Sequence, residues 1–402
     1  MSKVMSIFSQ ILQLFPKTEF IQLVSDTSSN KAIKGFSCWD QFVSMLFCQL
    51  GRAQSLREIC YGLATFQGKI THLGLKKAPS RSTLSYANEH RPWQLYEKLF
   101  YTLIDRCRQA FNGPGKFRFK NKLYSFDASL VELCLSLFDW AKYRRAKGAL
   151  KLHLLLDHNG YLPEYVYVTE GRIHEINILR RLTFDAGTIV AIDRGLIDYE
   201  LFGKWTESGV FFVTRLKKNA SYSLIYQRPV PQSRHILKDH IIELDGFYSK
   251  DKCPHQLRIV ESWDEDKKES IILLTNHLEF GATTISKIYK DRWQIELFFK
   301  AIKQNLRIKT FVGTSYNAVM IQIWTALISM LILKYLKLKA KIKWSLSNLV
   351  AMLRFNLLTY KDLWEWINLP YFIKPEQIAG EQLTLLEKNL GQHSSYKNRG
   401  ST

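Results

Sequence analysis

What this chain lacks narrows it first. Its six cysteines, Cys38, Cys48, Cys60, Cys107, Cys134 and Cys253, form no C-x2-C pair and no regular framework. That excludes a zinc ribbon and a disulfide scaffold, and leaves reduced, mostly buried thiols. The ten histidines show no metal spacing either. The start has Lys3 as its only early charge, with serine and glutamine among the apolar residues, so no signal peptide is expected and the expected location is cytoplasmic. Long apolar runs are scarce. The one at Ala318–Leu333 is interrupted by Gln322, is short for a membrane span and has no second span beside it. It predicts a buried core helix and no membrane. Acidic residues are outnumbered, 36 against 57 Lys and Arg, giving a net charge of +21. Such a field favours a polyanion, most often nucleic acid, although an ordinary basic protein would share it.

What is present is enough apolar material for a large core. Hydrophobic residues make up 46% of the chain, which argues against disorder. Residues 1–115 read as a helical domain, because Trp39–Leu50, Ser55–Ala64 and Pro92–Cys107 repeat apolar residues every three to four positions. Between them, Pro79 and Ser80 open a helix bearing Arg81, Ser82, Thr83, Tyr86, Asn88, His90 and Arg91, a composition suited to phosphates and base edges or simply to solvent. From about residue 116 the period shortens to that of strands, with turns at Asn159-Gly160 and Gly171 and helical pieces at His174–Leu182 and Asp198–Gly209. A mixed α/β sheet is expected over 116–310. Short strand candidates joined by charged turns suggest a β-rich insertion at about 218–280. Helices return through 311–388, a region expected to pack on the core, and the polar tail 389–402 reads as disordered.

The most specific local pattern is Tyr289-Lys-Asp-Arg292-Trp-Gln-Ile-Glu296, followed by Lys303. On an α-helix, Tyr289, Arg292, Glu296 and Lys303 fall within a sector of roughly 60°. Trp293, Ile295, Phe298 and Phe299 supply apolar bulk toward other elements. Glu296 could merely pair with Arg292 and Lys300 four residues either side. Upstream, however, Asp127 follows the strand-like LYSF and Asp193 follows TIVAI, and a carboxylate ending an apolar strand is costly to bury unless something uses it. Two aspartates from neighbouring strands and a glutamate from a helix repel one another unless cations neutralise them. Oxygen ligands select Mg2+ or Mn2+, and two such ions suit phosphodiester chemistry. Asp157 is a rival, but Asp157-His-Asn-Gly reads better as a hairpin turn, and Asp198 as a helix cap. Arg194, Arg215, Lys217 and Lys218 are softer candidates for a DNA channel, as is Lys300. Trp263 is more readily a packed aromatic than a base-stacking one.

Together, Asp127-Ala-Ser, Asp193-Arg-Gly-Leu-Ile-Asp-Tyr and the Y-x2-R-x3-E-x6-K series resemble the signature of DDE transposases of the family typified by insertion sequence four. The resemblance implies an RNase H-like catalytic core interrupted by a β insertion and flanked by helical regions, the amino-terminal one binding DNA. It implies two Mg2+ ions, replaceable by Mn2+, on Asp127, Asp193 and Glu296. It also implies contacts from Tyr289, Arg292 and Lys303 to transposon-end DNA; Lys300, Arg194 and Arg81 are secondary candidates from their charge and position alone. The expected activity is cleavage at terminal inverted repeats and strand transfer to target DNA by a bacterial, nucleoid-associated homodimer. A catalytically silent DNA-binding regulator derived from such an enzyme is the alternative.

Overall fold

The computed structural model of the chain describes residues 5–30, 35–66, 69–110, 116–133, 138, 140, 142–144, 147–231, 235–265, 268–306 and 311–371. The tail expected to be disordered, together with Cys134, lies outside them. Six helices come first: α1 (Ile7–Leu12), α2 (Lys17–Asp26), α3 (Cys38–Leu50), α4 (Leu56–Ala64), α5 (Arg81–His90) and α6 (Gln94–Ala110). Their starts follow from the sequence. Ser37 and Asp40 form a reciprocal cap on α3, and the Ser80 hydroxyl accepts from Thr83 N–H at the head of α5.

One ten-stranded mixed sheet follows, built from β1 (Leu123–Leu133), β2 (Lys142–Arg144), β3 (Lys147–Asp157), β4 (Leu162–Glu170), β5 (Ile189–Ile192), β6 (Phe211–Arg215), β7 (Tyr222–Gln227), β8 (Ile236–Leu244), β9 (Leu257–Asp264) and β10 (Glu269–Thr275). The β3–β4 hairpin turns where Asn159-Gly160 predicts it: Asp157 Oδ1 accepts from Asn159 N–H at 2.8 Å, and Gly160 adopts φ +79°. β1 is antiparallel to β3 but parallel to β5, which is parallel to β6. β7–β10, expected as an insertion, extend the same sheet, because β10 pairs antiparallel with β6 and continues through β9 and β8 to β7.

Between strands lie α7 (Glu175–Leu179), α8 (Tyr199–Glu207) and α9 (Phe247–Lys252). After the sheet come α10 (Ala282–Asp291), α11 (Trp293–Asn305), α12 (Tyr316–Lys339), α13 (Leu346–Asn356) and α14 (Leu363–Asn368). α12 is the apolar helix foreseen above. Among the described residues it alone is long and apolar enough to cross a membrane, yet 89% of its apolar window is buried inside the protein. It packs on α3, α5, α6, α11 and α13. Trp324 sits at its centre against Trp93 and Phe100, and the amide of Gln322 accepts from Val312 N–H at 2.9 Å. Helices from both ends of the chain share this core. Ile7 and Phe8 donate their backbone N–H groups to Thr359 and Leu357, which ties α1 to the segment after α13.

Candidate active site around Arg292

Two strands and one interrupted helix bring the candidate residues together. Side chains alternate along a strand, so Leu123, Ser125 and Asp127 of β1 share one face, and Ile189 and Ala191 of β5, followed by Asp193, share the same one. Leu123, Ile189 and Ala191 pack there with Ile285 and Ile288 of α10. Tyr124, Phe126, Val190 and Ile192 pack with Leu179 and Phe202 in a separate cluster. Phe126 stands opposite Ile192 in the parallel register, so Asp127 and Asp193 follow one residue later on adjacent strands. Asp127 does not end its strand as expected. β1 runs on to Leu133, and it is β5 that stops, at Ile192. Both carboxylates therefore lie at the carboxyl end of β5, where strand order reverses across the sheet, which is where open α/β sheets bind ligands.

The third carboxylate comes from a helix with a break in it. α10 ends at Asp291, α11 begins at Trp293, and Arg292 joins them in helical conformation (φ −49°, ψ −32°) without a side-chain cap. The face expected from Tyr289 to Lys303 is thus shared by two helices. Glu296 lies in the first turn of α11, where the helix dipole favours a negative charge. Ile295, Phe298 and Phe299 are buried as expected. Trp293 is not: it is 56% exposed.

Arg292 is the centre of the arrangement. Its side chain is only 8% exposed, with Nη1 3.9 Å from Asp127 Oδ2 and 3.6 Å from Glu296 Oε1, and Nη2 3.8 Å from Asp193 Oδ1. These distances exceed those of good hydrogen bonds. Nε and Nη1 are buried without any hydrogen-bond partner. One guanidinium thus neighbours all three carboxylates while keeping donors unused. Its carbon also lies 5.6 Å from the Tyr289 ring centre, a cation–π distance. Burial, reinforced by the nearby charge of Glu296, pushes the Asp127 carboxyl up to about 7, against the opposing pull of Ala128 N–H and Arg292. Burial likewise raises the Tyr289 phenol, with Arg292 partly offsetting it. Asp193 caps the turn Arg194–Leu196 and accepts from Gly195 N–H at 3.2 Å.

The donor chemistry suits a hard divalent cation, because all three groups are carboxylates that present oxygen. Among the described residues, however, no three acidic, histidine or cysteine side chains close on a common centre as a cage; these three carboxylates surround a guanidinium instead.

The remaining candidates lie farther out. Lys300 is exposed on α11, Lys303 is half-buried in its last turn, and Arg194 is exposed in the turn after Asp193. Arg81, the first residue of α5, is exposed and borders an open groove of about 470 Å³ shared with Arg57, Tyr61 and Pro79. Asn88 faces inward instead, accepting from Gln41 at 2.9 Å. Arg215 lies 3.6 Å from Glu269, and Trp263 is 42% exposed on β9. Asp157 makes the hairpin turn and Asp198 caps α8 by accepting from Leu201 N–H, so each rival carboxylate has a local structural task.

Sequence comparison supplies the class. Residues 118–332, more than half the chain, match the family described as the transposase DDE domain, and residues 4–76 match a domain of unknown function, DUF4372. A Sinorhizobium fredii protein described as a transposase is 30% identical over 266 residues, spanning 64% of this chain and 71% of its own. A Synechocystis protein described as a transposase for an insertion sequence element is 48% identical over 270 residues, 63% of this chain and 71% of its own. One from Geobacillus stearothermophilus, with the same kind of description, is 27% identical over 63% of this chain and 67% of its own. A solved piggyBac transposase chain, from a synaptic complex with hairpin DNA, aligns over 98% of this chain and 86% of its own at a TM-score of 0.41 and 11% identity, too remote a likeness to carry a conclusion. The chain belongs to the DDE transposases, the enzymes of insertion sequence elements. Transposases of this family use divalent metal ions.

Proposed function

We propose that this transposase cuts DNA at the ends of its insertion sequence and joins the freed ends to target DNA through a metal-dependent site formed by Asp127, Asp193 and Glu296. The observation that carries this reading is the set of three carboxylates around the buried Arg292, whose Nε and Nη1 have no partner. A buried charged donor left unpaired costs roughly 1–3 kcal/mol, which a phosphate oxygen would recover. Arg292 would then grip the phosphate next to the cleaved bond, and its planar fork suits that task. Tyr289, whose ring lies against Arg292, would donate to a neighbouring phosphate oxygen, and Lys303 would add a point charge one helical stretch away. Bound by the carboxylates, two Mg2+ ions, or Mn2+ in their place, would activate the attacking oxygen and steady the leaving one.

The same reading takes the core as RNase H-like. The antiparallel run β4–β3–β1, continued by parallel β5 and β6, supports it, with β7–β10 inserted ahead of the glutamate helix. Residues 1–115 would hold terminal-repeat DNA, using Arg81 and the exposed Tyr86 and His90, which stack at 4.1 Å on the outer face of α5. Lys300 and Arg194 would flank the duplex beside the cut. A homodimer would pair the two ends, and the Y-x2-R-x3-E-x6-K spacing supports membership of the group typified by insertion sequence four. In single-turnover assays on a duplex bearing the terminal repeat, Asp193→Asn and Glu296→Gln should lower cleavage by about a thousandfold or more while end binding stays near wild type. Undiminished cleavage in both would remove this site from the account.

A further inference from the structure

Near the carboxylates lies a second polar cluster whose residues the sequence motifs give no role. Ser125 Oγ lies 2.6 Å from His158 Nε2, and His158 Nδ1 lies 2.6 Å from Asp291 Oδ2. Ser125 is fully buried, His158 is 6% exposed and Asp291 2%. Tyr161 also donates its hydroxyl to Asp291, at 3.2 and 3.3 Å to the two oxygens, and Lys116 pairs with the same carboxylate. A Ser125 hydroxyl donating to Nε2 and an Nδ1–H donating to Asp291 give each link one donor and one acceptor, running Ser125 to His158 to Asp291. Burial works against the Asp291 anion, but hydrogen bonds from His158 and Lys116 outweigh it and hold the carboxyl below its ordinary range.

The linkage is that of a hydrolytic serine triad. A nucleophile needs access, however, and Ser125 has none, lying on the face of β1 that α10 covers. Its place suggests another task. Ser125 precedes Asp127 by two residues on the same face of β1, and Asp291 immediately precedes Arg292 at the break between α10 and α11. That break has no side-chain cap of its own, and backbone bonds cross it, from Arg292 N–H to the Ile288 carbonyl at 3.2 Å and from Ile295 N–H to that of Arg292 at 3.1 Å. His158 closes the link from a third element, the β3–β4 turn, and its own N–H is held by the Leu123 carbonyl at 3.0 Å.

We propose that Ser125, His158 and Asp291 are a buried positioning relay that fixes the α10–α11 break to β1 and so sets Arg292 and Glu296 against Asp127. The inference rests on the reading of those residues as the cutting site. Side chains that orient metal ligands or reacting groups typically change rates by about 10–100-fold when removed, because a displacement near 1 Å is enough. Asp291 is therefore a positioning residue, as are Ser125 and His158.

The test uses the full chain with Mg2+ and a terminal-repeat duplex, comparing wild type with Ser125→Ala, Asp291→Asn and the double variant. The single-turnover cleavage rate at saturating duplex should fall about 10–100-fold in each single variant. The Kd for the duplex should stay within about twofold, and the Mg2+ concentration for half-maximal cleavage should rise. The double variant should be no slower than the slower single one, since both act through one chain of bonds. A merely structural role would lower the folded fraction without moving the Mg2+ dependence of the folded enzyme. Cleavage near wild type in both single variants, unchanged Mg2+ dependence, or losses that multiply in the double variant would overturn the relay. Should Asp291→Asn fail to fold, Ser125→Ala decides, because it leaves the His158–Asp291 pair intact. Asp193→Asn separates the two levels: if it too cuts normally, the site reading falls; if it is dead while the relay variants cut normally, only the relay falls.

Discussion

Two arginines are buried against this sheet, and they are buried in opposite ways. Arg258, on β9, is fully buried and fully used: it grips Asp239 of β8 with two bonds of 2.7 Å and donates to the carbonyls of His277, Leu278 and Phe280. Arg292 is nearly as buried, yet it meets three carboxylates at 3.6–3.9 Å and leaves Nε and Nη1 unpaired. A protein that can satisfy an arginine completely at one place and does not at another shows what the second is free to do. The outer pair locks β8, β9 and the start of α10 together. The inner one keeps hydrogen-bonding capacity, which the proposed function assigns to a phosphate.

That contrast can be broken experimentally. The largest effect should come from Arg292→Lys, which keeps the charge and loses the fork: single-turnover cleavage should drop about a hundredfold with little change in thermal unfolding. Equal activity of Lys and Arg at this position would erase the distinction. Arg258→Met should do the reverse. Leaving Asp239 without its main partner should cost about 3 kcal/mol in denaturant unfolding, while the protein that remains folded cuts DNA within about threefold of wild type. A loss of cutting beyond the loss of folded protein would make Arg258 part of the site.

The pH dependence sharpens the comparison further. Asp127 is raised from 3.8 to about 7, so the native protein binds a proton that the unfolded chain has already released between those values. Stability from this group is therefore greatest below the unfolded value and is lost as pH rises through about 7. In chelator, unfolding midpoints of the wild type should decline over that window, and Asp127→Asn should abolish this component and gain about 2 °C at pH 8 but not at pH 4. An unchanged pH profile in the variant would place the strained carboxyl elsewhere. The smallest effect belongs to Asp157→Asn. Its amide oxygen can still accept from Asn159, so both stability (within about 0.5 kcal/mol) and cleavage should stay close to wild type.

The readable parts of this molecule were the local ones. Period-two and period-3.6 patterns expose the strands around Asp127 and Asp193 and the helix of Glu296, serine and aspartate mark helix starts such as those at Ser80 and Asp198, and the apolar run at Ala318–Leu333 already looks like a core helix. The family signature adds the suggestion that the three carboxylates belong together. What stayed hidden depends on register and distant contact. Nothing in LYSF-Asp shows that β1 continues while β5 stops, because the residues of β1 from Asp127 to Leu133 pair with β3 while β5 pairs only up to Phe126. Helical spacing put Trp293 against other elements, and it is 56% exposed. Short strands and charged turns around 218–280 read as a β-rich insertion, but nothing in them shows that β7–β10 join the main sheet beside β6. The relay was invisible for the same reason, since its partners lie 33 and 133 positions apart.

The claim that Asp127, Asp193 and Glu296 share a metal site is tested most directly by replacing Mg2+ with Fe2+ and adding ascorbate and peroxide, so that bound iron cuts the polypeptide around it. The account predicts scission clustered near residues 127, 193 and 296 and suppressed together by Asp193→Asn. Scission elsewhere, or a pattern indifferent to that substitution, would contradict it.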